Sequence, residues 1–135
     1  MDEVGPIEIR VDPFPVEADF RALWRTAWGG DWRGSLPDWS ISLVHLGAYD
    51  GDRLIGYVNV ATDGAGHAFL LDPTVHPDVR RQGLGRRLVD RAIEVARERG
   101  GQWLHVDYEP HLDDFYKACG FTPTMAGLMR LDGDR

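Results

Sequence analysis

The middle of the chain constrains the fold most, because an apolar run leads through a basic, glycine-containing turn into a helical pattern. The run spans Ala68 to Leu71, and the turn reads Arg80-Arg81-Gln82-Gly83-Leu84-Gly85-Arg86. Glycine lets a backbone turn sharply and approach a ligand closely. The N-terminus of the next helix directs unpaired N–H groups and the positive end of its dipole at the turn. This order of elements predicts an anion site, and the arginines favour phosphate.

Two common phosphate-binding motifs do not fit this turn. A Walker loop requires G-x-x-x-x-G-K-[ST], which does not occur in the sequence. A dinucleotide fingerprint requires Gly or Ala at the position of Leu88. The pattern that remains is R-x-x-G-x-G, formed by Arg80, Gly83 and Gly85 and preceded by Val75-His76-Pro77.

This pattern resembles the acyl-CoA loop of the GNAT superfamily of N-acyltransferases. The later segment Phe115-Tyr116-Lys117-Ala118-Cys119-Gly120-Phe121 resembles that family's closing Tyr-x-x-x-Gly-Phe segment. Two motifs in this order are more specific than either one alone. The resemblance covers roughly residues 45–131, whereas the first forty residues fit only by the order of their elements.

Composition limits the classes of partner. The 135 residues carry a formal net charge of −7, which argues against a nucleic-acid binder, whose binding face would be basic. Acidic surroundings instead favour a cationic partner. The single cysteine, Cys119, excludes an internal disulfide and suits a reducing compartment. With no apolar run near roughly 18 residues and no signal-peptide pattern, we expect one domain over residues 1–135, a cytoplasmic location and no membrane association.

Hydrophobic periodicity predicts an α+β chain in the order strand, helix, three strands, helix, strand, helix, strand. The predicted strands cover residues 7–11, 41–49, 54–61, 68–75, 103–108 and 121–131, and the helices cover 17–28, 84–99 and 112–118. The fourth strand shows little alternation and is expected to be buried on both faces. The resemblance implies a GNAT fold of mixed α/β layers. In that fold helices flank a central, mostly antiparallel sheet that splays apart between strands 4 and 5.

The resemblance also implies where acetyl-CoA binds. Main-chain N–H groups from Arg81 to Arg86 would bind the pyrophosphate, and Val75 would lie along the pantetheine arm. Pro73 has no N–H to bind the thioester oxygen, so Thr74 or Val75 must replace it if the usual donor falls there. Proline in a buried strand also predicts a bulge or the end of pairing. The expected cofactor-binding residues are Val75, Arg80, Arg81, Gln82, Gly83, Leu84, Gly85 and Arg86.

Deprotonating the acceptor amine requires a base. A lysine-like amine with a pKa near 10.4 is neutral in only about 1 molecule in 2,500 at pH 7. A carboxylate near the splay can take the proton, and the candidates are Asp72 on strand 4 and Asp107 or Glu109 on strand 5. We favour Asp72 and then Asp107, since two carboxylates in one cleft repel and raise the proton affinity of one of them. The alternative for each is an ordinary solvated or capping acid.

Tyr116 resembles the tyrosine that protonates the departing thiolate in this family. A pKa near 10 would bring it close to an alkyl thiol. The alternative is a half-buried tyrosine packed beside Phe115. The spacing of the histidines does not match a metal site, so no metal is expected. Four tryptophans in or after the first helix suggest either core packing or an acceptor pocket: Trp24, Trp28, Trp32 and Trp39.

These features predict an N-acetyltransferase that moves an acetyl group from acetyl-CoA to a primary amine by direct attack. The acceptor is a small molecule or a protein amine, with a cationic one favoured by the acidic surroundings. An alternative is a GNAT-fold module that binds acyl-CoA without turnover. A small α+β interaction domain with a chance glycine turn fits less well, because both motifs occur. An exposed last strand would allow a homodimer.

Overall fold

The computed structural model describes residues 6–132, which form a five-stranded sheet and three α-helices. The strands are β1 (Ile7–Val11), β2 (Val44–Asp50), β3 (Arg53–Thr62), β4 (His67–Val75) and β5 (Trp103–His105). The helices are α1 (Glu17–Trp28), α2 (Leu84–Glu98) and α3 (Asp113–Ala118). The predicted α+β order is therefore confirmed up to α3. No helix among residues 6–132 is long and apolar enough to cross a membrane.

The sheet opens between its last two strands. Its order is β1-β2-β3-β4-β5, with antiparallel neighbours except for the parallel pair β4 and β5. That pair has three partners in register: His67 with Trp103, Ala68 with Leu104 and Phe69 with His105. Beyond them β4 continues to Val75, whereas β5 ends. The predicted splay is confirmed, and we call the opening between β4 and the chain after β5 the cleft.

A β-bulge lies on the β4 side of the cleft. Tyr57 pairs with Thr74, and Asn59 pairs with Leu71, so two steps along β3 match three steps along β4. Two residues of β4, Asp72 and Pro73, thus stand opposite one residue of β3, Val58. This confirms the bulge expected from the proline. Asp72 has a φ of 54° in the left-handed region, where non-glycine residues are uncommon. A bulge of this kind interrupts pairing and redirects a side chain.

Two apolar layers cover the two faces of the sheet. On one face α2 buries Leu84, Leu88 and Ala92 against the central strands, as the helical spacing predicts. Gly56 permits this close approach, since a Cβ there would lie 3.0 Å from Leu88 Cδ1. On the other face Phe20 of α1 heads a cluster of aromatic and aliphatic side chains. Each large side chain buried in this way contributes about 1.5–3 kcal/mol, so the sheet is a rigid support for the cleft.

Several predicted bounds are wrong. The second strand begins at Val44 instead of residue 41, because a 3₁₀ turn capped by Asp38 precedes it. The fourth strand is not buried on both faces, since the side chain of Phe69 remains 39% exposed. The fifth strand ends at His105 instead of residue 108, where its pairing with β4 ends.

The predicted strand over residues 121–131 is not formed. These residues have no regular secondary structure, and Met125 and Leu131 are more than 90% exposed. A strand is stabilised by a partner, and β5 offers an edge of only three residues. Pro123 also lacks the N–H that a ladder would use. The expected homodimer contact through this strand thus loses its structural basis.

Candidate active site

The cleft brings together all three predicted catalytic residues. Its lining includes Asp72 from the bulge, Asp107 from the chain after β5, and Tyr116 from α3. Val75, Arg80 and Gly85 of the predicted cofactor set also line it. The other predicted cofactor residues do not line it: Arg81, Gln82, Gly83, Leu84 and Arg86. Leu84 is instead buried in the α2 core, whereas Arg81, Gln82, Gly83 and Arg86 are exposed.

The glycine turn leaves main-chain donors available at the start of α2. Gly83 is the N-cap residue, with a φ of 75° and no side chain to cap the helix. The Arg87 N–H makes the first helical bond, to the Gly83 carbonyl at 3.1 Å. Within residues 6–132, no backbone carbonyl outside the helices and strands lies in good hydrogen-bonding geometry to the N–H groups of Arg81 to Arg86. This is the donor set that an anionic group such as a pyrophosphate requires.

Packing within the protein does not require glycine at position 85. A Cβ there would lie 3.8 Å from Val75 Cγ2 and 3.9 Å from Phe115 Cζ, which are ordinary contact distances. The residue lies within α2 and has no positive φ. The missing side chain therefore leaves room beside Val75 for a ligand, as a pantetheine arm entering the cleft would need.

Two of the three predicted phosphate-binding arginines have other partners for their side chains. Arg80 Nη2 donates to the Ala27 carbonyl of α1 at 2.9 Å. Arg86 Nε lies 2.9 and 3.0 Å from the two carboxylate oxygens of Asp90. The side chain of Arg81 is exposed, and its φ is 67°. Main-chain donors, rather than arginine side chains, are thus the strongest candidates for binding phosphate.

Asp72 has the electrostatic character expected of a base. Burial raises the pKa of its carboxyl group, and the negative charge of Asp107 raises that pKa further. The predicted repulsion between the two carboxylates is therefore present. A raised pKa brings Asp72 closer to the pKa of an amine, which makes it a better proton acceptor.

A buried tyrosine on β3 lies beside this carboxylate. Tyr57 is fully buried, and its hydroxyl accepts a hydrogen bond from Trp39 Nε1 at 2.7 Å. Burial raises the pKa of Tyr57, and the negative charge of Asp72 adds to the increase. This proximity to Asp72 is not visible in the sequence, because Tyr57 stands in an apolar strand and has the pattern of a core residue. Only its pairing with Thr74, next to the bulge, places it there.

Tyr116 is both packed and part of the cleft. Its side chain is 4% exposed and stacks on Tyr108 with ring centroids 4.6 Å apart. Burial is the main cause of a raised pKa at Tyr116, and the charges of Cys119 and Asp107 add to it. Together these effects raise the pKa of Tyr116 to about 12. The expected pKa near 10 is thus wrong, because that estimate assumed a solvated phenol. The hydroxyl keeps its proton at neutral pH and is available as a donor.

Strand geometry favours Val75 over Thr74 as the donor that replaces Pro73. The His76 N–H donates to the Ile55 carbonyl at 2.8 Å and so points towards β3. Since N–H groups alternate in direction along a strand, that of Thr74 also points to β3, whereas that of Val75 points to the cleft. Val75 is therefore the candidate to bind a thioester oxygen.

Of the four tryptophans in or after α1, three are packed in the core and one lies in the cleft. Trp24, Trp32 and Trp39 pack around Phe20, as core packing predicts. Trp28 is 57% exposed and lines the cleft on the side of Asp72. Its Nε1–H donates to Thr74 Oγ1 at 3.1 Å. Of these four tryptophans, only Trp28 lines the cleft and is thus placed to form part of an acceptor pocket. Residues 6–132 contain no group of three or more His, Cys, Asp or Glu that could bind a metal.

Similarity to known proteins identifies the family of the chain. Residues 7–121 match the model of the Acetyltransferase (GNAT) family. A mycothiol acetyltransferase from Mycolicibacterium vanbaalenii is 38% identical over 66 residues, which is 49% of this chain and 22% of that protein. The chain thus spans less than a quarter of that relative's length.

Solved structures show the same fold. A probable acetyltransferase of unknown function from meticillin-resistant Staphylococcus aureus superposes with a TM-score of 0.76 at 23% identity, covering 95% of this chain and all of that one. An aminoglycoside N-acetyltransferase in complex with CoA superposes with a TM-score of 0.70 at 18% identity, covering 98% of each chain. With a family model that matches nearly the whole described chain, the protein belongs to the GNAT family of acetyltransferases.

Proposed function

We propose that this protein transfers an acetyl group from acetyl-CoA to the primary amine of a cationic acceptor. The observation that carries the proposal is the convergence of Asp72, Asp107 and Tyr116 on one cleft that also reaches Gly85 of the glycine turn. Two acids and the exposed indole of Trp28 line the same cleft, and such groups suit an ammonium group. The single cysteine fits a reducing compartment, so we propose a cytoplasmic location. Whether the protein forms a homodimer stays a prediction.

The proposed reaction assigns one step to each of these groups. Asp72 takes a proton from the ammonium group, and the neutral nitrogen attacks the thioester carbon. The new C–N bond forms as the C–S bond breaks, and the electron pair leaves on sulfur. The Val75 N–H would stabilise the negative charge that develops on the carbonyl oxygen. Tyr116 donates its proton to the sulfur, which gives free CoA. The nitrogen loses its second proton to solvent as it becomes the neutral amide, and Tyr116 regains a proton from solvent.

The direct test is the release of thiol from acetyl-CoA across a library of amines. We expect release with diamines and other acceptors that carry a second positive charge, and little with neutral or acidic amines. The rate should rise with pH as Asp72 loses its proton. If acetyl-CoA binds tightly and no amine releases thiol, the result favours the alternative function, a GNAT-fold module that binds acyl-CoA without turnover.

The glycine turn allows a separate prediction for cofactor binding. CoA should bind more tightly than pantetheine, because only CoA presents phosphates to the N–H groups at the start of α2. Gly85→Ala should weaken CoA binding, since its Cβ fills space beside Val75 without straining the protein. Gly83→Ala is the less informative variant, because its φ of 75° would strain any other residue. Calorimetry that shows equal affinity for CoA and pantetheine contradicts this assignment.

A further inference from the structure

The C-terminal end of α1 is attached to the cofactor side of the cleft by two hydrogen bonds. Arg80 Nη2 donates to the Ala27 carbonyl at 2.9 Å, and Trp28 Nε1 donates to Thr74 Oγ1 at 3.1 Å. These contacts join positions 53 and 46 residues apart in the chain. Thr74 in turn donates its hydroxyl proton to the Asp72 carbonyl at 2.9 Å, so the second contact continues into the bulge.

Apolar packing is weaker at this end of α1, where Trp28 contacts the partly buried Trp24 with ring centroids 5.6 Å apart. The buried residues of the helix are Phe20 and Leu23, both in its first two turns. Trp28 is 57% exposed, and Gly29 ends the helix in the left-handed region with a φ of 77°. The last carbonyls of a helix have no partner within it, and a positive charge there also complements the helix dipole. Arg80 supplies both the donor and the charge.

We infer that Arg80 is a positioning residue for the acceptor, in addition to its place in the cofactor turn. It fixes the last turn of α1 against β4 and thereby sets the position of Trp28 in the wall of the cleft. Because Arg80 belongs to the turn that receives the phosphates, this contact also links cofactor binding to the acceptor pocket. The inference rests on the proposed function for the identity of the acceptor side, but the contact itself can be tested without turnover.

Kinetics separate this role from that of a phosphate ligand. Arg80→Ala should raise the acceptor KM about three- to tenfold, the usual effect of losing one hydrogen bond, with a smaller change in the Kd for CoA. Arg81→Ala is the matched control, since it removes the same charge from the same turn. Measured at saturating acetyl-CoA, it should change the acceptor KM less than Arg80→Ala does, whatever its effect on the Kd for CoA. Arg80→Lys, which can still donate to the Ala27 carbonyl, should restore part of the acceptor affinity.

The opposite pattern overturns the inference. If Arg80→Ala raises the Kd for CoA as Arg81→Ala does, and the acceptor KM stays constant, Arg80 is only a phosphate ligand. An acceptor KM unchanged in both variants also excludes the positioning role. In each case the fold is checked by circular dichroism, and Arg80→Lys provides the comparison if Arg80→Ala does not fold.

A spectroscopic measurement remains informative even if no amine is acetylated. The indole N–H resonance of Trp28, assigned by its loss in Trp28→Phe, reports the hydrogen bond to Thr74. Arg80→Ala should shift this resonance and increase the hydrogen exchange of the last turn of α1. The indole signals of Trp39 and Trp103 should not change, whereas that of Trp24 moves with Trp28 because the two rings are in contact. Arg81→Ala should do neither. An unshifted Trp28 signal in Arg80→Ala shows that the end of α1 is held without Arg80 and overturns the inference, whereas failure of the amine library alone does not.

Discussion

Replacing Tyr116 by Phe should lower turnover about 10²- to 10⁴-fold while CoA affinity persists, as expected for the loss of a general acid. The ring is almost fully buried and stacks on Tyr108, and Phe keeps both of these contacts. Only the hydroxyl is lost. This hydroxyl is protonated at neutral pH and so has a proton to donate, although a pKa of about 12 makes it a weaker acid than an ordinary phenol. The measurement is kcat under conditions where the chemical step limits the rate.

Tyr108→Phe provides the matched control. It removes a hydroxyl from the neighbouring ring, and that hydroxyl donates to Asp113 Oδ1 at 2.8 Å. The stacking on Tyr116 would remain. We expect less than a tenfold change in turnover, well below the loss typical of an acid–base group. Equal effects of the two substitutions would mean that Tyr116 acts through packing rather than as an acid.

Replacing Asp72 by Asn should lower turnover at neutral pH about 10²-fold or more and move the alkaline rise of the rate to higher pH. In the wild type the rise follows the loss of a proton from Asp72, whose pKa is raised by burial and by Asp107. Without this base the rate should follow the free amine, whose pKa is near 10.4 for a lysine-like acceptor. Asn tolerates the left-handed φ of 54° at this position, so the bulge should be retained.

The matching Asp107→Asn variant identifies the base. If Asp72 is the base, removing the charge of Asp107 lowers the pKa of Asp72, and the rise moves to lower pH. If Asp107 is the base, the rise moves to higher pH instead. Rate profiles of the two variants that overlay the wild type would exclude both carboxylates as the base.

Thermal stability distinguishes a structural role for Asp72. A carboxyl whose pKa is raised by folding binds protons more strongly in the native state than in the unfolded chain. Ionisation of Asp72 therefore lowers the free energy of unfolding as the pH rises above the pKa that this carboxyl has in the unfolded chain. Asp72→Asn removes this loss of stability. We expect the melting temperature at neutral pH to be unchanged or higher. A marked decrease would instead show that the Asp72 side chain stabilises the bulge.

The sequence predicts those parts of the site that depend on local chemistry. Gly83 marks the turn because its φ of 75° suits few other residues, Gly85 leaves room beside Val75, and Pro73 marks the bulge because it has no N–H to pair. The periodicity of α2 likewise defines its buried face. Each of these signals is contained within a few neighbouring residues.

Features that depend on distant segments are not visible in the sequence. Tyr57 reaches Asp72 only through the register of β3 and β4, and Arg80 reaches Ala27 only through the packing of α1 on the sheet. The raised pKa of Tyr116 likewise results from burial among rings of several elements. The wrong strand over residues 121–131 has the same origin, since apolar residues form a strand only where a partner edge is available.

The short pairing between β4 and β5 has a consequence for how the chain unfolds. Three residue pairs in a parallel register attach β5 to the sheet, whereas β1 to β4 are joined by longer antiparallel ladders. Segments with few contacts open with a lower free energy than the global transition. The part of the chain from β5 onwards is thus the unit most prone to separate opening. A ligand that contacts both walls of the cleft would hold β5 and the residues after it against β4. The resistance of the protein to proteolysis in cells should therefore increase with the concentration of that ligand.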